Sequence, residues 1–234
     1  MPLNQVWRDG WTHRRAGFWP DEPEKSLIRN RCRELAAHVR QEDSSRLISY
    51  AALYGNVGPL ADIVDVLGVN SYYGWYDKIW GGKGLQAGTG TPKEPPVERE
   101  PIDLAQMRAM LDKILAQKTD LALLLTEFGA DSVPGFLSKT RDLWSENYHA
   151  DLLNAIFQLA KNRPQITGTF PFCFSDYRDP SKSPNGYWNE LNLKGVVDCN
   201  RNRKMAFNTV AKEYHRPAQA KNTLPKSKRN HPEF

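Results

Sequence analysis

The chain has 234 residues, 40% of them hydrophobic and 25% charged, with a formal net charge of +5. That length suits one domain with a sizeable core, and the composition excludes a disordered or fibrous chain. No apolar stretch approaches the roughly 20 residues that a bilayer span requires, so no membrane-spanning role is expected.

Residues 1–23 show no clear period and are expected to form an irregular N-terminal segment. The start, Met1 to Gly17, is polar and aromatic, without the apolar run of a signal peptide. From Glu24 to Gln41, Leu27, Ile28, Cys32, Leu35, Ala36 and Val39 fall at helical spacing. A strand is expected at Arg46–Leu53, a short helix over Pro59–Val64 and a second strand at Val66–Asn70. Residues 81–101 carry Gly81-Gly82-Lys83-Gly84, Pro92 and Pro95-Pro96, and read as a flexible loop too long for a plain connector. Asp103 can cap a helix whose inner stripe is Leu104, Met107, Met110, Leu111, Ile114 and Leu115.

A strand over Leu121–Glu127 comes next. Ser145 can then cap a helix with Tyr148, Leu152, Ile156 and Leu159 inward. Ile166 to Phe172 reads as a fourth strand, and Lys204–Glu213 as a final helix. The tail, 215–234, holds Arg216, Lys221, Lys226, Lys228 and Arg229 among Pro217, Pro225 and Pro232. A solvated, disordered basic tail accounts for this charge better than a nucleic-acid arm does. Cys32, Cys173 and Cys199 show neither paired nor zinc-ligand spacing, and the histidines are scattered. The expectation is therefore reduced thiols, no metal, no cofactor and a cytoplasmic setting.

Strands alternating with helices imply parallel βα units. A doubly wound sheet would advertise a glycine-rich phosphate loop after its first strand, and Gly81-Gly82-Lys83-Gly84 lacks the Ser/Thr and the helix that should follow. Within this alternation one segment stands out, Leu121-Ala122-Leu123-Leu124-Leu125-Thr126-Glu127-Phe128-Gly129-Ala130-Asp131. Its apolar run suggests a strand buried on both faces. A carboxylate at the C-terminal end of such a strand sits where (β/α) barrels place their chemistry. A solvent-facing surface Glu at a strand end is the alternative that these residues leave open.

Several segments resemble glycoside hydrolase family 2, and within it β-glucuronidases. Asp65-Val66-Leu67-Gly68-Val69-Asn70-Ser71-Tyr72-Tyr73-Gly74-Trp75-Tyr76 is similar to the sixth barrel strand and its exit. Leu125-Thr126-Glu127-Phe128-Gly129-Ala130-Asp131 is similar to the seventh. Leu143 to Leu153 resembles the helix after it. Phe170-Pro171-Phe172 through Asp176-Tyr177-Arg178 resembles the eighth strand and its loop, and Asn192-Leu193-Lys194-Gly195 resembles the Asn-x-Lys-Gly segment that meets the sugar acid.

The resemblance implies an α/β fold: a partial (β/α)8 TIM barrel, approximately strands 5–8 with their helices, over residues 24–214. It implies an O-glycosyl hydrolase of β-glucuronidase type, truncated, acting on a carbohydrate through a covalent glycosyl-enzyme. Glu127 would be the nucleophile. A retaining enzyme needs a second carboxyl about 5–5.5 Å away, and Glu22 in Trp19-Pro20-Asp21-Glu22-Pro23 is the nearest match to the family's acid/base segment. There Asp21 replaces an Asn, and Trp19 lies two residues too close to Glu22. Asn70, Tyr72, Tyr76, Phe172, Asn192 and Lys194 are the implied substrate contacts. Tyr72 would hydrogen-bond the nucleophile. Lys194, Asn192 and Tyr76 would hold a glucuronate carboxylate through charge-assisted bonds.

Phe172 stands where the family usually has Trp, and Trp188 where glucuronidases carry Arg. A β-galactosidase-like hydrolase and a non-catalytic, sugar-binding remnant are the alternatives. A half-barrel would expose two sheet edges and an apolar layer, so an isolated chain would be poorly stable, inactive, or dependent on homo-oligomerisation or another association.

Overall fold

The structure, a computed structural model, describes residues 24–53, 60–79, 102–117, 121–180, 182 and 190–216. The expected irregular segment 1–23 with Trp19, Asp21 and Glu22, the expected loop at 81–101, Trp188 and residues 217–234 lie outside the described residues. The described chain runs α1 (Glu24–Glu42), β1 (Ser49–Leu53), β2 (Val66–Asn70), α2 (Tyr76–Ile79), α3 (Ala105–Gln117) and β3 (Ala122–Glu127). It continues α4 (Glu146–Lys161), β4 (Ile166–Thr169), β5 (Tyr177–Arg178), β6 (Leu191–Asn192) and α5 (Met205–Tyr214).

Strands β1 to β4 form one sheet in sequence order, and every pairing in it is parallel. Parallel neighbours need crossover connections, and α3 and α4 lie in the connections that enter β3 and β4. Leu67, Val69, Leu123 and Leu125 are fully buried on the helix side. There they join Met107, Leu111 and Ile114 of α3 and Leu152, Leu153 and Ile156 of α4 in one core. Helix α5 adds Ala206, Phe207 and Val210 to that core. Aromatic edges interlock beneath the site, with Phe128 on Phe157 at 5.7 Å and Trp75 on Trp144 at 4.4 Å between ring centroids.

Local signals set the helix starts. The Ser145 side chain accepts from the Tyr148 backbone N–H and caps α4. Glu146, in the first turn, accepts from Gly135 N–H and Met205 N–H, tying a loop and the start of α5 to the same point. Asp103 accepts from Ala105 N–H at 2.7 Å, as expected of a cap for α3.

Several expected elements differ from those observed. β1 begins at Ser49, not Arg46, because Ser45 and Arg46 N–H groups fold back onto Asp43. Of the short helix expected over Pro59–Val64, Leu60 is in a 3-10 turn and 61–63 form a turn closed by Ile63 N–H on the Leu60 carbonyl, while Pro59 lies outside the described residues. β4 ends at Thr169, although Phe170 and Phe172 N–H groups still bond Leu125 and Phe128 carbonyls. Lys204 is the N-cap of the last helix and not its first turn, and that helix reaches Tyr214. Strand β3 is buried on one face only: Ala122, Leu124 and Thr126 are partly exposed. They point away from the helix layer, and no second layer faces them among the described residues.

Candidate active site

The site assembles where β2, β3 and β4 end together. Register slips by one residue between Val69 and Asn70, so Asn70 pairs with Glu127 and skips Thr126. Thr126 Oγ1 donates to Asn70 Oδ1 at 2.7 Å, and Ser71 N–H donates to the Glu127 carbonyl at 2.8 Å. These two bonds lock the strand ends that carry Asn70 and Glu127. Gly68 makes the close approach possible, because a Cβ there would meet Thr126 Oγ1 and the Tyr50 carbonyl, each at 2.9 Å.

Tyr72 reaches across from the β2 exit and donates its hydroxyl to Glu127 Oε2 at 2.8 Å. Burial, followed by the charge of Glu127, pushes the Tyr72 phenol up, so it remains protonated and can only donate to the carboxylate. Aromatic rings extend from this pair in both directions. Tyr72 lies 5.2 Å from Tyr76 and 6.4 Å from Phe172, and Phe172 lies 6.3 Å from Tyr177. The Phe172–Cys173 peptide bond is cis. Gly129, at φ 149°, passes close to the Phe172 carbonyl, where a Cβ would stand 2.8 Å from its oxygen.

Lys194 joins this wall from behind. Its ammonium lies 4.8 Å from the Tyr76 ring centre and 5.5 Å from that of Tyr72, in cation–π range. Lys194 Nζ donates to Asp131 Oδ2 at 2.5 Å, and Lys194 is 1% exposed. Asn192 is also occupied: Nδ2 donates to the Tyr177 hydroxyl and Oδ1 accepts from Lys194 N–H. Asn192 thus fixes Tyr177 and the backbone of Lys194.

Asp131 is the hub that the sequence reading left without a role. It accepts from Trp75 Nε1, Leu193 N–H, Lys194 Nζ and Lys182 Nζ. Burial alone would raise its pKa. Lys194 and Lys182 outweigh burial and hold the carboxyl down to about 2. Behind it, Lys204 donates to Asp176, the Ser132 carbonyl and the Leu193 carbonyl, using the three hydrogens of one ammonium. His149 contacts Ser132 Oγ through Nδ1 at 3.1 Å. Burial, reinforced by the charge of Lys204, brings its pKa down to about 3.

The structure therefore brings Glu127, Asn70, Tyr72, Tyr76, Phe172, Asn192 and Lys194 into one connected site, while Glu22 lies outside the described residues. Sequence reasoning missed Asp131, Tyr177, Lys182 and Trp75. Asp131 stood at the end of a segment already singled out, and a second acid four residues after a strand-end Glu was the available signal. Nothing in the sequence marked Lys182. Among the described residues no group of three or more His, Cys, Asp or Glu could hold a metal, and no helix is long and apolar enough to cross a membrane.

Parallel strands backed by helices, with a carboxylate and its hydrogen-bond donor at the strand ends, define an arc of a (β/α) barrel with its site on the C-terminal face. Residues 19–218 match the family described as "Glycosyl hydrolases family 2, TIM barrel domain", and the chain belongs to that family. A β-glucuronidase from Streptococcus agalactiae serotype V is 27% identical over 116 residues, covering 50% of this chain and 16% of that protein. Among solved structures, the FMN-binding β-glucuronidase from Facaelibacterium prausnitzii L2-6 superposes with a TM-score of 0.62 at 23% identity. That match covers 81% of this chain and 26% of the other. A galacturonate-bound β-galacturonidase from Eisenbergiella tayi gives 0.60 at 20%, covering 83% and 30%. A Lactobacillus rhamnosus β-glucuronidase gives 0.64 at 20%, covering 84% and 30%. The chain thus spans less than a third of each of these relatives, and the structural likenesses establish the fold.

Proposed function

We propose that this chain carries the nucleophile half of a retaining β-glycosidase site that takes uronides. Its carrying observation is the hydrogen bond from Tyr72 to Glu127, set one aromatic ring away from the Lys194 ammonium. A nucleophilic carboxylate must be held for attack on the anomeric carbon, and the Tyr72 hydroxyl holds Glu127 through its hydrogen bond. Attack by a Glu127 oxygen breaks the bond to the leaving oxygen and forms a glycosyl ester. Water then hydrolyses that ester with retention.

The family resemblance gives the acid/base role to Glu22, which lies outside the described residues. Asp131 cannot fill it, because two lysines keep it ionised and a general acid must carry a proton at the working pH. The uronide assignment rests on Lys194, on the Asn192 side chain beneath it, and on relatives named as β-glucuronidases and a β-galacturonidase. One observation favours a second reading, a neutral galactoside: Lys194 is already bonded to Asp131 and almost wholly buried.

The test is mechanism-based labelling. A 2-fluoro β-glucuronyl fluoride needs no general acid for departure of fluoride, so it reports on the nucleophile alone. The expected product is a covalent adduct on the peptide containing Glu127, found by mass spectrometry and absent from Glu127→Gln. Labelling by the galactosyl analogue alone would select the neutral-sugar reading. An adduct on another residue would remove Glu127 from the mechanism, and no adduct from either reagent would favour the non-catalytic remnant.

A further inference from the structure

The uronide reading, on which this inference rests, leaves a difficulty. The cation assigned to the substrate carboxylate, Lys194, is 1% exposed and bonded to Asp131. A second cation stands in front of it. Lys182 follows β5 in a turn closed by its own N–H on the Asp179 carbonyl at 2.9 Å. Its ammonium lies 3.1 and 3.3 Å from the two oxygens of Asp131, and its side chain is 13% exposed. Two ammonium groups thus converge on one carboxylate, the inner one buried and the outer one reaching solvent. The Tyr76 hydroxyl is hydrogen-bonded to Lys182, and the Tyr76 ring covers Lys194. The two lysines therefore share one phenol as well as one carboxylate.

We propose that Lys182 is a specificity-determining residue: it is the first cation that a uronide carboxylate meets, with Lys194 in support behind it and Asp131 positioning both. Two ammonium charges share the single charge of Asp131, so an arriving anion meets a net positive pair at its exposed member, Lys182. Removing one partner of a buried pair usually strands the other. Asp131, however, keeps Lys194, the Leu193 N–H and the Trp75 indole when Lys182 is removed. Lys182 is thus replaceable without orphaning its carboxylate, which suits a residue that exchanges one anion for another. Burial, with the nearby Lys194 charge adding to it, lowers the Lys182 pKa, in keeping with an ammonium that gains from a second anion.

NMR titration of the full chain with D-glucuronate, and separately with D-glucose, tests this. The wild type is expected to prefer glucuronate. Lys182→Met is expected to weaken glucuronate binding about tenfold, leave glucose binding unchanged and keep the wild-type circular dichroism spectrum. Lys182→Arg, which restores the charge, is expected to recover most of the preference. Equal losses for both sugars, or an unchanged preference in Lys182→Met, would overturn the role of Lys182 while leaving the uronide reading intact. A wild type that shows no preference for glucuronate would overturn both.

Discussion

At the scale of single residues, the site behaves as a charge device built from buried groups. His149 is held neutral by burial and by Lys204, at about 3 against an ordinary 6.5. An unfolded chain would protonate this imidazole below pH 6.5, whereas the folded chain resists until about pH 3. The stability that this difference contributes is complete above pH 6.5 and is lost as pH falls toward 3. Asp131, held to about 2 against 3.8, acts in the same direction, but only below about pH 4. Between pH 6.5 and 4 His149 should therefore lower wild-type stability by up to about 3 kcal/mol, an effect opposed by Asp176, whose carboxyl pKa is raised by burial. His149→Gln keeps an acceptor for Ser132 and removes the titration, so its urea-unfolding free energy should not fall over that interval. Parallel slopes for the two proteins would contradict the assignment. Glu127 and Tyr72 were legible beforehand because a strand-end acid and a neighbouring aromatic are local patterns. The Asp131 hub was not, because its partners Trp75, Lys182 and Lys194 lie 51 to 63 residues away in sequence.

At the scale of elements, the helices with a cap or a clear stripe were readable almost to the residue. Ser145 and Asp103 cap α4 and α3 because a short side-chain oxygen next to the first free N–H groups is a local event. The two-residue pair β5–β6 and the short α2 were not anticipated, since their formation depends on contacts made after the sheet exists. Position 68 shows the same division. Sequence gave only a glycine inside a strand, a weak hint of close backbone approach. Structure gives the reason, as a Cβ would press on Tyr50 O in β1 and Thr126 Oγ1 in β3, at 2.9 Å each. The backbone carbonyl cannot rotate away, so Gly68→Ala should cost about 1–3 kcal/mol by overpacking. It should also loosen the Thr126–Asn70 bond that aligns the site. Urea unfolding reads the first effect, and slower labelling of Glu127 reads the second. An alanine variant as stable as wild type would mean that β2 shifts freely, against the register described above.

At the scale of the whole molecule, the central fact is an open arc. Among the described residues β1 and β4 are the two edges of the four-stranded sheet, and the face carrying Ala122, Leu124 and Thr126 is partly exposed. The helix next to the β1 edge is unfinished in the same sense. The stripe read from sequence in α1 is only partly covered. Cys32 and Ala36 pack toward Leu60, Ile63 and Tyr50, while Leu27, Leu35 and Val39 remain 60%, 65% and 49% exposed. An apolar helix stripe left uncovered favours a neighbour, and a parallel edge unpaired among the described residues is a template for another strand. An adjoining βα unit on the β1 flank would offer a strand to the edge and a helix to the stripe. When the chain is purified alone, other copies are the surface available to that flank. Light scattering coupled to size exclusion should then give a mass that rises above the monomer as concentration increases. Leu35→Glu with Val39→Glu should return it toward the monomer without lowering the unfolding midpoint, since neither side chain is part of the core. A chain that stays monomeric and unfolds cooperatively at every concentration would show that the open flank is stable in water, and the argument from edge and stripe would be wrong.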